Sequence, residues 1–170
     1  MFLYLAMIDS DADKSKFEIL YSEYKNLMYY TANRILRNSR DTEDVVHQAF
    51  LKVIEILDTI SSPRCHKTRA LLVTITEHKA IDLYREKQRR NVLPLVEEYV
   101  GAAPAAEIER LAERDTLAAA IAALPPRYRS VLLLRYDCGY SNAEIANILD
   151  TTEPNVRKLI QRAKENSAQR

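Results

Sequence analysis

The 170-residue chain is 47% hydrophobic and 29% charged and holds 2 Gly, 6 Pro, 2 Cys and no Trp, which fits one folded domain or two small ones with strongly helical local preferences. Cys65 and Cys138 form no paired spacing, so neither a disulfide framework nor a zinc ribbon is indicated, and no later run approaches the roughly 18 apolar residues of a membrane span. The expectation is an all-α cytoplasmic protein with reduced cysteines and no membrane insertion.

The opening Met1-Phe2-Leu3-Tyr4-Leu5-Ala6-Met7-Ile8 is apolar, but no basic residue precedes it, and Asp9, Asp11 and Asp13 follow. That is unlike a secretory signal. Phe17, Leu20, Tyr21, Tyr24, Leu27, Met28 and Ile35 recur at helical spacing and predict a long amphipathic helix from about Ser15 to Leu36. Asn38 and Ser39 interrupt it. Asp41 reads as the N-cap of a second helix, with Glu43 and Asp44 in the first turn, where the helix dipole favours negative charge. Val46, Ala49, Phe50, Val53 and Leu57 form its stripe. Ser61-Ser62-Pro63 begins a polar loop through Lys67, followed by a third helix over about Thr68 to Arg89, apolar first and basic in its last turns.

From Asn91 to Ala106 the periodicity fades around Pro94, Gly101 and Pro104, which marks a linker and the domain boundary. Ile108, Leu111, Leu117, Ile121 and Leu124 then predict a helix ending at Pro125-Pro126, and Pro126 opens another whose Val131, Leu132, Leu133 and Leu134 precede a break at Gly139. Ser141 and Glu144 form a capping box for a short helix buried through Ile145, Ala146, Ile148 and Leu149. Asp150-Thr151-Thr152 is a tight turn. Pro154 sits in the first turn of a final helix that turns Val156, Leu159, Ile160 and Ala163 inward.

The formal net charge of +1 conceals strong local charge. Residues 61 to 90 hold eight Lys or Arg against three acids, residues 154 to 170 hold five against Glu165, and residues 91 to 113 carry five glutamates against Arg110. Two basic patches thus flank an acidic connector, either a phosphate-binding footprint or two solvated helix faces. The paired short helices over residues 141 to 165 favour the first reading, because they match a helix-turn-helix. Asn155, Arg157, Lys158, Gln161 and Arg162 project from the second of them. Amide and guanidinium groups so placed can bond base edges or phosphates in a major groove.

Asp41-Thr42-Glu43-Asp44-Val45-Val46-His47-Gln48-Ala49-Phe50-Leu51-Lys52 resembles the acidic, then aromatic signature of conserved region two in RNA polymerase sigma factors of the extracytoplasmic-function class. Leu124-Pro125-Pro126-Arg127-Tyr128-Arg129-Ser130-Val131-Leu132-Leu133-Leu134-Arg135-Tyr136 and Gly139-Tyr140-Ser141-Asn142-Ala143-Glu144-Ile145-Ala146 resemble their region four, and Val156-Arg157 and Arg162-Ala163-Lys164 continue the match. The resemblance implies two small helical domains, a region two three-helix bundle over residues 14 to 90 and a region four helix-turn-helix domain over 107 to 170, joined by a flexible linker over 91 to 106. It implies binding to core RNA polymerase and promoter DNA, and an anti-sigma factor as a family expectation. Asp44, His47, Gln48 and Lys52 would meet the polymerase. The loop Ser61 to Lys67, with Arg64, His66 and Lys67, would receive a flipped base, and Lys79, Tyr84 and Arg85 would lie near the downstream duplex.

Promoter opening exchanges stacking and pairing for protein contacts, so it needs no catalytic group, metal or cofactor. His47, His66, His78 and Cys65 match no zinc pattern. Relatives often carry Trp where this chain has Leu71 or Leu72 and an Arg-Asn pair where it has Glu77-His78, while His47 replaces a familiar Gln and Asp150 a common Gly. Two rival readings stay open. One is a helix-turn-helix regulator acting without polymerase; the other is a degenerate sigma paralogue serving as an interaction protein.

Overall fold

The computed structural model describes residues 1–90 and 124–168, and every regular element among them is helical. The chain divides into two compact units, Met1–Pro94 and Leu95–Arg170. The linker expected over residues 91 to 106 and most of the helix expected after it lie outside the described residues.

The first unit opens with a short helix, α1 (Phe2–Leu5), within the apolar opening segment, where no helical period marks it. Its anchor is aromatic. Tyr4 is buried with its ring centroid 5.5 Å from Phe17, 5.9 Å from Tyr21 and 5.9 Å from Phe50, within the spacing at which tilted rings attract beyond their buried area. The long helix α2 (Asp11–Leu36) begins four residues before the predicted start, because Ser10 accepts a hydrogen bond from Asp13 N at 3.4 Å and Asp11 and Asp13 occupy the positive first turn.

Arg37 ends α2 in the left-handed conformation with φ of 50°, and the second long helix, α3 (Ser39–Glu55), starts almost at once. Its cap is Asn38, whose Oδ1 accepts from Asp41 N at 3.0 Å, which corrects the assignment of Asp41 as N-cap. The tight reversal at Arg37 leaves Asn38 the extended backbone that a cap requires, and Asp41 becomes a residue of the first turn. Val45 rather than Val46 is fully buried, together with Ala49, Phe50 and Val53. Leu57 belongs to a separate 3₁₀ turn, Leu57–Thr59.

The helix α4 (His66–Arg90) packs against both α2 and α3 and completes the bundle. All eight residues from Leu71 to His78 are buried, so this stretch is enclosed on every side. Polar Thr74, Thr76, Glu77 and His78 sit inside with it, and Thr76 Oγ1 donates to Leu72 O at 2.8 Å. Beyond Ala80 the helix emerges and carries its basic turns on the surface.

In the second unit, Pro126 occupies the first turn of α5 (Pro126–Leu132), where its missing N–H costs nothing. The helix then widens into a π turn, Leu133–Asp137, and Gly139 reverses the chain at φ of 82°, a conformation that glycine adopts without penalty. The expected capping box opens α6 (Asn142–Ile148): Ser141 N donates to Glu144 Oε2 at 2.7 Å and Glu144 N to Ser141 Oγ at 3.2 Å. Asp150 takes the left-handed turn position with φ of 49°, and α7 (Glu153–Ala168) follows. Val131, Leu134, Ile145, Val156 and Ala163 form the centre of this unit.

Candidate nucleic-acid and partner interfaces

On α7, at about 100° per residue, Val156, Leu159, Ile160 and Ala163 fall within an arc of about 100°, while Asn155, Arg157, Lys158, Gln161 and Arg162 spread over about 160° on the opposite side. Burial agrees. Val156 and Ala163 are fully buried and Leu159 and Ile160 half-buried, whereas all five polar side chains are exposed. Over residues 155–162 the helix-turn-helix therefore presents an outward surface of amide and cationic groups, with exposed Glu165 on the same side one turn further on. Lys164 Nζ lies 5.5 Å from the Tyr136 ring centroid, adding an exposed aromatic from the π turn that sequence spacing did not single out.

In the first unit, Asp44, His47 and Gln48 lie within one turn of α3 and are all exposed. Lys52 does not join them. It lies about 80° around the axis from Asp44, and its side chain is only 6% exposed, with Nζ 2.9 Å from Glu55 Oε2. The face expected to meet a partner thus keeps Asp44, His47 and Gln48 and loses Lys52. His47 Nδ1 shares a 2.6 Å hydrogen bond with the Tyr4 hydroxyl, so α1 borders this face.

The loop before α4 is shorter than Ser61 to Lys67, because His66 and Lys67 form the first turn of α4. Both are exposed there. The remaining loop is tethered: Tyr24 OH donates to Pro63 O at 3.0 Å, Thr68 Oγ1 to Ser62 O at 2.6 Å, and Arg64 Nε to Glu23 Oε1 at 3.1 Å. Cys65 stands where a capping side chain stands, with Sγ accepting from Thr68 N at 3.4 Å. Hydrogen bonding from the Thr68 side chain and backbone lowers the Cys65 thiol below its ordinary range.

Further along α4, Lys79 is half-buried, Tyr84 is half-buried with its hydroxyl accepting from Gln88 Nε2 at 3.0 Å, and Arg85 is exposed. They point in directions at least about 100° apart around the helix, so no single flat surface carries all three. Leu71, Leu72, Glu77 and His78, the positions that depart from the family pattern, are all buried in the bundle. Among the described residues no group of three His, Cys, Asp or Glu could hold a metal ion, and no helix is long and apolar enough to cross a membrane.

A three-helix bundle and a separate helix-turn-helix unit with a cationic outer arc define a helical DNA-binding protein of two parts. Sigma-70 region 2 matches residues 20–90 and sigma-70 region 4 matches residues 114–166. The chain is 27% identical over 165 residues to the extracytoplasmic-function RNA polymerase sigma factor SigW of Bacillus subtilis, covering 90% of this chain and 87% of that one. It is 26% identical over 151 residues to the sigma factor SigL of Mycobacterium tuberculosis, covering 88% and 85%. The solved structure of CnrH in complex with the cytosolic domain of CnrY shares 26% identity, with 89% of this chain and 84% of that chain covered and a TM-score of 0.37. The chain belongs to the sigma-70 family, as a sigma factor of the extracytoplasmic-function class that directs promoter-specific transcription initiation.

Proposed function

We propose that this sigma factor divides promoter recognition between its two units, with region two over residues 14–90, a linker over 91–106 and region four over 107–170. The division of the chain into compact units at Pro94 and Leu95 supports that boundary. The outward arc of α7 carries the reading of the second unit: Asn155, Arg157, Lys158, Gln161 and Arg162 contact the upstream promoter element, with inward Val156 and Ala163 holding the helix in place.

In the first unit, the exposed Asp44, His47 and Gln48 seat core RNA polymerase. Arg64, His66 and Lys67, at the tethered loop and the N-terminus of α4, receive a base from the downstream element, while Arg85, the exposed member of the set Lys79, Tyr84 and Arg85, meets the adjoining duplex. Extruding a base costs a few kcal/mol. A loop backbone already held by Tyr24 and Thr68 loses less conformational entropy on capture than a free one. Arg64 exchanges Glu23 for DNA phosphate in this reading. The protein works in the cytoplasm, and the family expectation of an anti-sigma factor extends to it.

Reconstitution with core polymerase and a genomic promoter library tests the assignment. Run-off transcripts that share an upstream and a downstream motif support it. Polymerase binding without transcripts identifies a degenerate paralogue, and tight sequence-specific binding without polymerase identifies a separate regulator.

A further inference from the structure

The five polar side chains on the outward arc of α7 are not equally placed. Asn155 Nδ2 donates to Thr151 Oγ1 at 2.8 Å, Arg157 Nη2 to Glu153 Oε1 at 2.5 Å, and Gln161 Nε2 to Glu165 Oε1 at 3.1 Å. The Glu153 pair differs from the others because it joins opposite charges. Its side chains are 42% and 62% exposed, so the pair contributes little to folding. Its consequence is for DNA.

A lone arginine on this surface is drawn to phosphate, which carries the dominant negative field and demands no particular geometry. Paired with Glu153, Arg157 forms a unit of zero net charge, and that attraction is largely cancelled. The carboxylate occupies part of the guanidinium edge, limits its rotamers and leaves further N–H donors free of it. Those donors match the O6 and N7 acceptors of guanine in the major groove. Glu153 and Arg157 both lie near the N-terminal end of α7, the end that a recognition helix presents to base edges.

We propose that Glu153 is a positioning residue that determines specificity: by holding Arg157 it keeps the guanidinium off the phosphate backbone and aims it at a guanine edge. It thereby trades DNA affinity for sequence discrimination. The inference rests on the reading of α7 as the upstream reader.

The test uses holoenzyme reconstituted with the full chain carrying Glu153→Gln, Arg157→Ala or neither. Binding is measured at several salt concentrations to a promoter and to single base-pair variants across its upstream element. With Glu153 present, one base pair is discriminated by about 5- to 150-fold. Glu153→Gln is expected to lower that discrimination by about 2- to 5-fold, to tighten binding to unrelated DNA and to steepen the salt slope by about one, as Arg157 turns to phosphate. Both variants should melt with the unsubstituted protein. Unchanged discrimination in Glu153→Gln overturns the proposal whether or not the salt slope moves, since a carboxylate that merely repelled phosphate would change the slope alone. Arg157→Ala separates this failure from a deeper one: if it also leaves every base preference intact, Arg157 reads no base and the placement of the reader falls with the proposal.

Discussion

Replacing Val156 and Arg162 on the same helix should separate folding from recognition. Val156→Ala removes two methyl groups from a side chain that is 0% exposed. At about 0.8 kcal/mol per buried carbon, with a further term for the cavity, the expected loss is about 2 to 3 kcal/mol. For a unit the size of Leu95–Arg170 that corresponds to a fall of about 10 to 20 °C in melting temperature. Arg162 is exposed, so Arg162→Ala should leave stability within about 0.5 kcal/mol. Its cost falls on the promoter. A base contact would lose about 1 to 3 kcal/mol at one position, and a phosphate contact would weaken all sequences alike and lower the salt slope by about one. Calorimetric melting of the chain and competition binding of its holoenzyme measure the two effects independently. An Arg162→Ala protein that binds and initiates as before, on a promoter dependent on its upstream element, would refute the placement of the DNA surface. Unchanged melting in Val156→Ala would refute the inward face.

Three further outcomes follow from the geometry. Ser141→Ala should destabilise the second unit by about 1 kcal/mol through loss of the cap. Its hydrogen bonds with Ser141 lower the Glu144 carboxyl below its ordinary range, so the folded state binds fewer protons and stability rises with pH through that window. This increment is present in full above the unfolded pKa and is lost as pH falls through the folded value; an acid titration of melting temperature that is the same with and without Ser141 would contradict it. Asp44→Lys with Gln48→Ala should weaken core polymerase binding by about 1 kcal/mol or more while melting is unchanged, whereas Lys52→Met, at a buried site, should leave that affinity as it was; fluorescence titration with core polymerase compares them. Tyr24→Phe removes the donor that holds Pro63 O and should cost about 1 kcal/mol of stability. It should also reduce run-off from an intact promoter more than from a pre-opened one, and equal losses on both templates would show that the tether plays no part in base capture.

Local chemistry made most of the described part of the second unit legible from the chain alone. A capping box, a proline at the start of α5, a glycine with positive φ and the spacing of Val156, Leu159, Ile160 and Ala163 are each decided within a few residues. The outward set on α7 followed from the same periodicity. The first unit was legible in its helices but not in its boundaries or its interior. Asn38 outcompetes Asp41 as a cap because of where Arg37 reverses the chain, and Ser10 starts α2 ahead of the apolar stripe.

Tertiary structure alone decided which polar residues are enclosed. Thr74, Glu77 and His78 look like a solvated face by composition, yet α4 lies against both α2 and α3, and Lys52 is covered although Gln48 and Glu55, on either side of it along α3, are exposed. The opening residues gave no periodic signal, and only the convergence of Phe17, Tyr21 and Phe50 from two other helices makes a seat for Tyr4. A helical period determines which residues share a face. Whether that face meets water, a second helix or a partner depends on segments distant in sequence, whose contacts no local pattern encodes.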